Sequence, residues 1–77
     1  MKKRKLNWAL LSTARINERL IPAIRESKNS QLMAVASRNL KNSKNYAKKH
    51  NIQKAYGSYE DLLKDTEIDV VYISLPN

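Results

Sequence analysis

Apolar residues arrive along this chain in four short runs, separated by stretches where they recur about every fourth position. The first run, Leu6 to Leu11, takes its bulk from Trp8, Leu10 and Leu11, and its near-continuous apolar character suits a central strand covered on both faces. It ends in the small polar residues Ser12 and Thr13, after which Ile16, Leu20 and Ile24 fall on one face of a helix, with Arg15, Arg19, Arg25 and Glu26 directed elsewhere. Ser12 or Thr13 can cap that helix. Pro22 inside it lacks the N–H that would bond the Glu18 carbonyl, so a kink or a gap is expected there. Lys28, Asn29 and Ser30 break the pattern, and Gln31 to Ser37 read as a second strand. From Leu40 to about His50 the spacing is helical but sparsely apolar, anchored by Leu40, Tyr46 and Ala47, with Lys41, Lys44, Lys48 and Lys49 outward. Ile52 to Tyr56 predict a short edge strand and Gly57 a turn. Ser58, three residues before Asp61, predicts a capped short helix. Ile68 to Leu75, rich in β-branched residues, reads as a last strand stopped by Pro76.

Strands alternating with helices argue for an α/β protein with a parallel sheet and right-handed crossovers. If the strand order follows 3-2-1-4, the run ending at Leu75 lies beside the first strand. Val70, Val71, Tyr72, Ile73 and Leu75 are apolar on both alternating faces and carry no edge-blunting lysine or proline, so a further strand is expected beside them and the chain reads as a fragment. In such a sheet the junction of first strand and first helix is a place for an anion, because unpaired N–H groups and the positive end of the helix dipole point above it.

Composition narrows the classes. At 77 residues the chain is one small domain at most, and 42% hydrophobic with 29% charged residues is a globular composition. No run approaches the ~18 apolar residues of a membrane span. The basic start followed by a run stopping at Ser12 does not read as a secretory signal. Without cysteine there is no disulfide frame, thiolate nucleophile or cysteine metal site, and a cytoplasmic setting is the default expectation. The net charge of +8 is lopsided: through Lys54 there are 14 Lys and Arg against Glu18 and Glu26, and from Ala55 onward Lys64 stands against five acids. Such a basic half can serve nucleic acid or a membrane surface, can be a solvated face with a basic tail over residues 1–5, or can face a phosphorylated cofactor. No DNA or RNA motif accompanies the charge.

Four blocks in order carry a resemblance: Trp8-Ala-Leu-Leu-Ser-Thr-Ala-Arg-Ile-Asn17, Leu32-Met-Ala-Val-Ala-Ser-Arg38, Lys54-Ala-Tyr-Gly-Ser-Tyr-Glu-Asp-Leu-Leu63 and Asp69-Val-Val-Tyr-Ile-Ser-Leu-Pro-Asn77. Together they resemble the N-terminal dinucleotide-binding domain of the glucose-fructose oxidoreductase, inositol dehydrogenase and rhizopine-catabolism group (Gfo/Idh/MocA). The resemblance implies a partial Rossmann-type doubly wound sheet over residues 6–77, with strands one to four and their crossover helices. The remaining strands and a C-terminal α+β domain would lie outside it. It also implies an NAD- or NADP-dependent oxidoreductase acting on the CH–OH group of a sugar, polyol or dihydrodiol, and it leaves a homo-oligomer open for the complete protein. The family's Glu-Lys-Pro segment and catalytic histidine or acid are not in these residues, so this chain alone is not expected to be catalytic.

Carried over by position, Ser12, Thr13, Ala14, Arg15 and Ile16 form the pyrophosphate turn. Ser12 and Ala14 stand where the family has glycines, and Asn17 where it has alanine. The N–H groups of Arg15 and Ile16 would donate to the anion, and the Arg15 guanidinium can add a charge-assisted bond or remain solvated. Arg38 follows Ala14 by 24 positions, near the ~20-residue offset where an acid binds the ribose of NAD or an arginine accommodates the 2′-phosphate of NADP. No acid is present there, and the reading is NADP preference, with Ser37 donating a hydroxyl bond and Lys41 assisting. Leu75, Pro76 and Asn77 would line the cofactor cleft beside the nicotinamide ribose. His50 reads as an exposed helix-end residue. Glu60, Asp61, Asp65, Glu67 and Asp69 read as solvated carboxylates that form neither an acid–base pair nor a metal site. A non-catalytic dinucleotide sensor and a small basic nucleic-acid binder are the alternative functions.

Overall fold

The structure, a computed structural model, describes residues 5–13 and 17–74. Its order is β1 (Leu6–Leu11), α1 (Asn17–Glu26), β2 (Ser30–Ala36), α2 (Leu40–His50), β3 (Lys54–Tyr56), α3 (Tyr59–Leu63) and β4 (Val70–Ile73). The four strands form one parallel sheet in the order β3-β2-β1-β4, as the alternation of strand and helix patterns predicts. The β1–β2 register shifts between Trp8 and Ala9, which brings Leu32 opposite Trp8 but Ala34 opposite Ala9.

Both faces of the sheet are covered, and by different sizes of side chain. On one face Leu10 and Val35 pack with Ile21 of α1, Ala47 of α2 and the buried Ile52. On the other, Ala9, Ala34 and Ala36 leave room for α3, whose Leu62 is fully buried among them. Burying a side chain the size of Leu10 or Leu62 contributes roughly 1.5–3 kcal/mol.

The helix ends follow local chemistry. Asn39 caps α2, its side chain accepting from the Asn42 N–H at 3.1 Å, and Asn51 ends it in the left-handed conformation at φ 56°. Arg25, at the end of α1, donates to the carbonyls of His50 and Asn51 and ties the two helix ends together. Ser58 caps α3 by accepting from the Asp61 N–H at 3.1 Å, as its spacing predicts. Gly57 lets the β3–α3 turn press on the start of α2: a Cβ there would stand 2.8 Å from the Leu40 Cβ.

Several expectations shift. The second strand runs one residue earlier, Ser30 to Ala36, because the Ser30 hydroxyl accepts from the Trp8 indole at 3.1 Å and Ser37 turns into the following loop. Among the described residues the buried face of α1 is Asn17, Ile21 and Ile24, with Leu20 only partly buried. Ile16 lies outside the described residues. The helix continues through Pro22, and Leu40 is 44% exposed while Ser43 takes the buried position on α2.

Polar clamps fix β1 against β4 at both ends. At the amino end, Asn7 N–H donates to the Asp69 carboxylate at 2.7 Å, Asn7 Nδ2 to the Glu67 carbonyl at 2.8 Å, and Asp69 N–H to the Asn7 carbonyl at 2.8 Å. The Asp69 carboxylate is exposed, as its reading as solvated predicts, and also holds the start of β1. The carboxyl end is held by a different network, at the candidate site.

Candidate cofactor site

In a doubly wound sheet, ligands sit beyond the carboxyl ends of the strands, where the strand order reverses. Here that point lies between β1 and β4. The turn after β1 begins with Ser12 at φ 129°, a backbone conformation that favours glycine. Holding a residue with a Cβ in such a region costs of order 1–3 kcal/mol. The compensation is visible around it. Asn17, the first residue of α1 and fully buried, donates from Nδ2 to the Ser12 carbonyl at 2.8 Å. A carbonyl only accepts, so this bond fixes the amide orientation and leaves Asn17 Oδ1 to accept from the Ser74 hydroxyl, also at 2.8 Å. The Ser12 hydroxyl then has its own proton for Ser74, whose carbonyl and hydroxyl oxygens both lie 2.7 Å away. The result is a closed ring of donors and acceptors joining the ends of β1 and β4 to the start of α1. Hydrogen bonds of ~0.5–1.5 kcal/mol net are each of the size needed to offset the strained φ.

The turn after β2 is organised around Ser37, which is buried. Its hydroxyl lies 2.8 Å from the Asn39 carbonyl and 2.6 Å from the Ser43 hydroxyl, and it accepts from the Asn39 N–H at 3.3 Å. The single hydroxyl proton of Ser37, expected to face a ligand, is engaged inside the turn. Its N–H donates to the Tyr56 carbonyl at 3.2 Å and joins the turn to β3. Between these anchored neighbours stands Arg38, exposed, with no hydrogen bond or ion pair to another described residue. Lys41 is exposed on the first turn of α2.

Thr13 borders a cleft of about 410 Å³ shared with Glu18 of α1 and Asn42, Asn45, Tyr46 and Lys49 of α2. Arg38 and Lys41 stand outside that lining. The Tyr46 hydroxyl is enclosed, and burial raises the phenol above its ordinary value. Ala14, Arg15, Ile16, Leu75, Pro76 and Asn77, the other expected site residues, lie outside the described residues. Among the described residues no three of His, Asp and Glu converge as a metal site.

Two readings of single residues change. His50 is half-buried, not exposed: its ring lies 4.4 Å from that of Tyr46, and Nε2 is enclosed without a partner. Asp65 is no solvated carboxylate, since its side chain is only 7% exposed and accepts from the Tyr56 hydroxyl and from Lys54 Nζ at 3.0 Å. The Tyr56 bond, then the Glu67 N–H and Lys54, hold Asp65 down to about 2. Glu67, at 2.6 Å, and Asp65 raise Lys54 well above the usual lysine range. This cluster braces β3 far from the β1–β4 opening. Sequence reading missed Asn17 and Ser74 as parts of the site. The signal for Ser74 was a lone hydroxyl in an otherwise apolar strand end, and for Asn17 an amide where the family pattern has alanine.

Four parallel strands joined by crossover helices, with the strand order reversing between β1 and β4, make a Rossmann-type α/β unit. Residues 6–77 match the oxidoreductase family with an NAD-binding Rossmann fold, GFO_IDH_MocA. The chain belongs to the Gfo/Idh/MocA oxidoreductase family and has its NAD(P)-binding Rossmann fold. It is 47% identical over 68 residues to trans-1,2-dihydrobenzene-1,2-diol dehydrogenase of Xenopus laevis, covering 86% of this chain and 21% of that protein. To the enzyme of that name from Homo sapiens it is 41% identical over 70 residues, covering 88% of this chain and 21% of the other. The chain thus spans about a fifth of the length of these relatives. Among solved structures, an NAD binding oxidoreductase from Klebsiella pneumoniae superposes with a TM-score of 0.86 at 28% identity, over 95% of this chain and 22% of that one. A 3-ketoreductase from Actinomadura kijaniata in complex with NADP shares the fold, with a TM-score of 0.82 at 24% identity over 95% of this chain and 23% of the other. No helix among the described residues is long and apolar enough to cross a membrane.

Proposed function

We propose that this chain supplies the cofactor-binding part of an oxidoreductase that prefers NADP and acts on the CH–OH group of a dihydrodiol or a related cyclic polyol. The observation that carries the cofactor preference is Arg38. It stands exposed at the carboxyl end of β2, without a partner among the described residues, where an NAD-specific site places an acid. A planar guanidinium pairs with a phosphate through two donors and can stack on adenine. Ser37, Asn39 and Ser43 hold the turn that presents it, and Lys41 adds positive charge on the adjacent helix turn. The backbone of Ser12, Thr13, Ala14, Arg15 and Ile16 receives the pyrophosphate, and Leu75, Pro76 and Asn77 face the nicotinamide side. When bound, the dinucleotide supplies the hydride chemistry; this chain binds and orients it. The substrate class rests on the dihydrodiol dehydrogenases to which the chain is 40–47% identical. A cytoplasmic setting belongs to the same proposal.

The test is steady-state oxidation of a trans-dihydrodiol by the full-length protein with NADP and with NAD. Turnover with a higher kcat/KM for NADP is expected. Binding of either dinucleotide with no turnover on dihydrodiols, sugars or polyols would instead favour a non-catalytic sensor.

A further inference from the structure

The ring of Ser12, Asn17 and Ser74 is not needed to pair the strands. β1 and β4 are already in register from Trp8–Val70 to Leu11–Ile73, and Asn7 with Asp69 clamps their other end. What the ring does is local. It holds a residue with a Cβ at φ 129°, and it does so through groups that are 0% exposed at Asn17 and 3% at Ser74. Two departures from the family pattern, serine for glycine at position 12 and asparagine for alanine at position 17, are physically one arrangement, because the Asn17 amide holds the carbonyl of Ser12. We infer that Asn17 and Ser74 are positioning residues for the dinucleotide: with the Ser12 hydroxyl they lock the turn that receives the pyrophosphate into a glycine-like conformation, in place of glycine. This inference deepens the proposed function and rests on it.

The ring also has a direction. Ser74 immediately precedes Leu75, Pro76 and Asn77, so fastening the Ser74 carbonyl to Ser12 links the turn at the phosphates to the segment assigned to the nicotinamide side. The turn is then set by one hydrogen-bonded unit, formed before the ligand arrives, and binding spends less on ordering it. A hydroxyl acting this way matters only while position 12 carries a Cβ.

The experiment is a titration of NADP and NAD into full-length variants, with thermal unfolding measured in parallel. Ser12→Ala, which keeps the Cβ and loses the hydroxyl, is expected to raise the NADP Kd about tenfold. Ser12→Gly, which removes both, should stay within about threefold. Ser74→Ala should raise Kd about tenfold alone but less than about twofold on top of Ser12→Gly, and Ser74→Thr should restore it. A purely structural role would lower the unfolding temperature and leave this coupling at zero. Equal Kd values for Ser12→Ala and Ser12→Gly, or an equal cost of Ser74→Ala in both backgrounds, overturns the inference alone. Failure of the unmodified protein to bind either dinucleotide overturns the proposed function with it.

Discussion

At the end of β1, Ser12 turns its backbone to a φ of 129° and ties its hydroxyl to Ser74 across the sheet. At the end of β2, Ser37 keeps a negative φ and ties its hydroxyl to Asn39 and Ser43 within its own turn. Both turns follow the carboxyl ends of their strands, and in both the serine hydroxyl is engaged by other groups of the protein. The first turn uses its side chains to shape backbone, which suits recognition of a pyrophosphate by N–H groups. The second uses its side chains to anchor the residues around Arg38, and leaves that one charged group exposed. Recognition by backbone tolerates sequence change if the conformation is kept, whereas recognition by one guanidinium does not.

That contrast can be broken from either side. The largest expected effect is at the second turn: Arg38→Ala should raise the NADP Kd ~10–100-fold, the size of a charged hydrogen bond, while the NAD Kd stays within about threefold. Paired titrations of the two dinucleotides check this. In the first turn, Asn17→Ala removes a fully buried amide, and with it the bond to the Ser12 carbonyl and the bond from the Ser74 hydroxyl. The expected loss is about 1–3 kcal/mol of unfolding free energy, read from urea denaturation, with weaker binding of both dinucleotides rather than a change of preference. Gly57→Ala sharpens the comparison by removing none of the side chains that hold either turn. The added methyl meets the Leu40 Cβ at 2.8 Å and should cost about 1 kcal/mol or more through overpacking, with the NADP to NAD ratio unchanged.

The smallest effect lies away from both turns, at Asp65. Its carboxyl is held down to about 2 against an ordinary value of 3.8, so the folded state binds the proton less readily than the unfolded chain. The stability it contributes is complete above 3.8 and fades as pH falls toward about 2. Urea midpoints followed over that window should fall with pH, and Asp65→Asn should flatten the fall. Lys54 and Glu67 are partly exposed, at 24% and 62% of their side chains, which keeps this contribution modest.

How legible all this was in the sequence depends on the range of the forces involved. Leu6–Leu11 and Leu40–His50 coincide with their predicted bounds, because alternating or four-spaced apolar residues record which faces are buried. The Ser58 cap was legible for a similar reason: donor and acceptor are three residues apart. What could not be read depends on contacts across the chain. Ser12 and Ser74 meet over 62 positions and Asn7 and Asp69 over the same separation, so neither the ring that holds Ser12 at positive φ nor the amide partner of Asp69 is written in the neighbouring residues. The rotated face of α1 follows from the same cause, since burying the Asn17 amide in the ring brings Ile21 inward where the apolar pattern points to Leu20. Asp65 looked like one solvated acid among five until Tyr56 and Lys54 of β3 closed over it. Arg38 stands exposed, free of any such long-range contact among the described residues, so its reading as a group that can face a ligand rests on the sequence position alone.

The most direct test of the cofactor assignment is the ratio of NADP to NAD dissociation constants for the unmodified full-length protein, measured by titration calorimetry at one fixed ionic strength. An exposed Arg38 beside the ribose site predicts NADP the tighter by about tenfold or more. Equal constants, or tighter NAD, would contradict it.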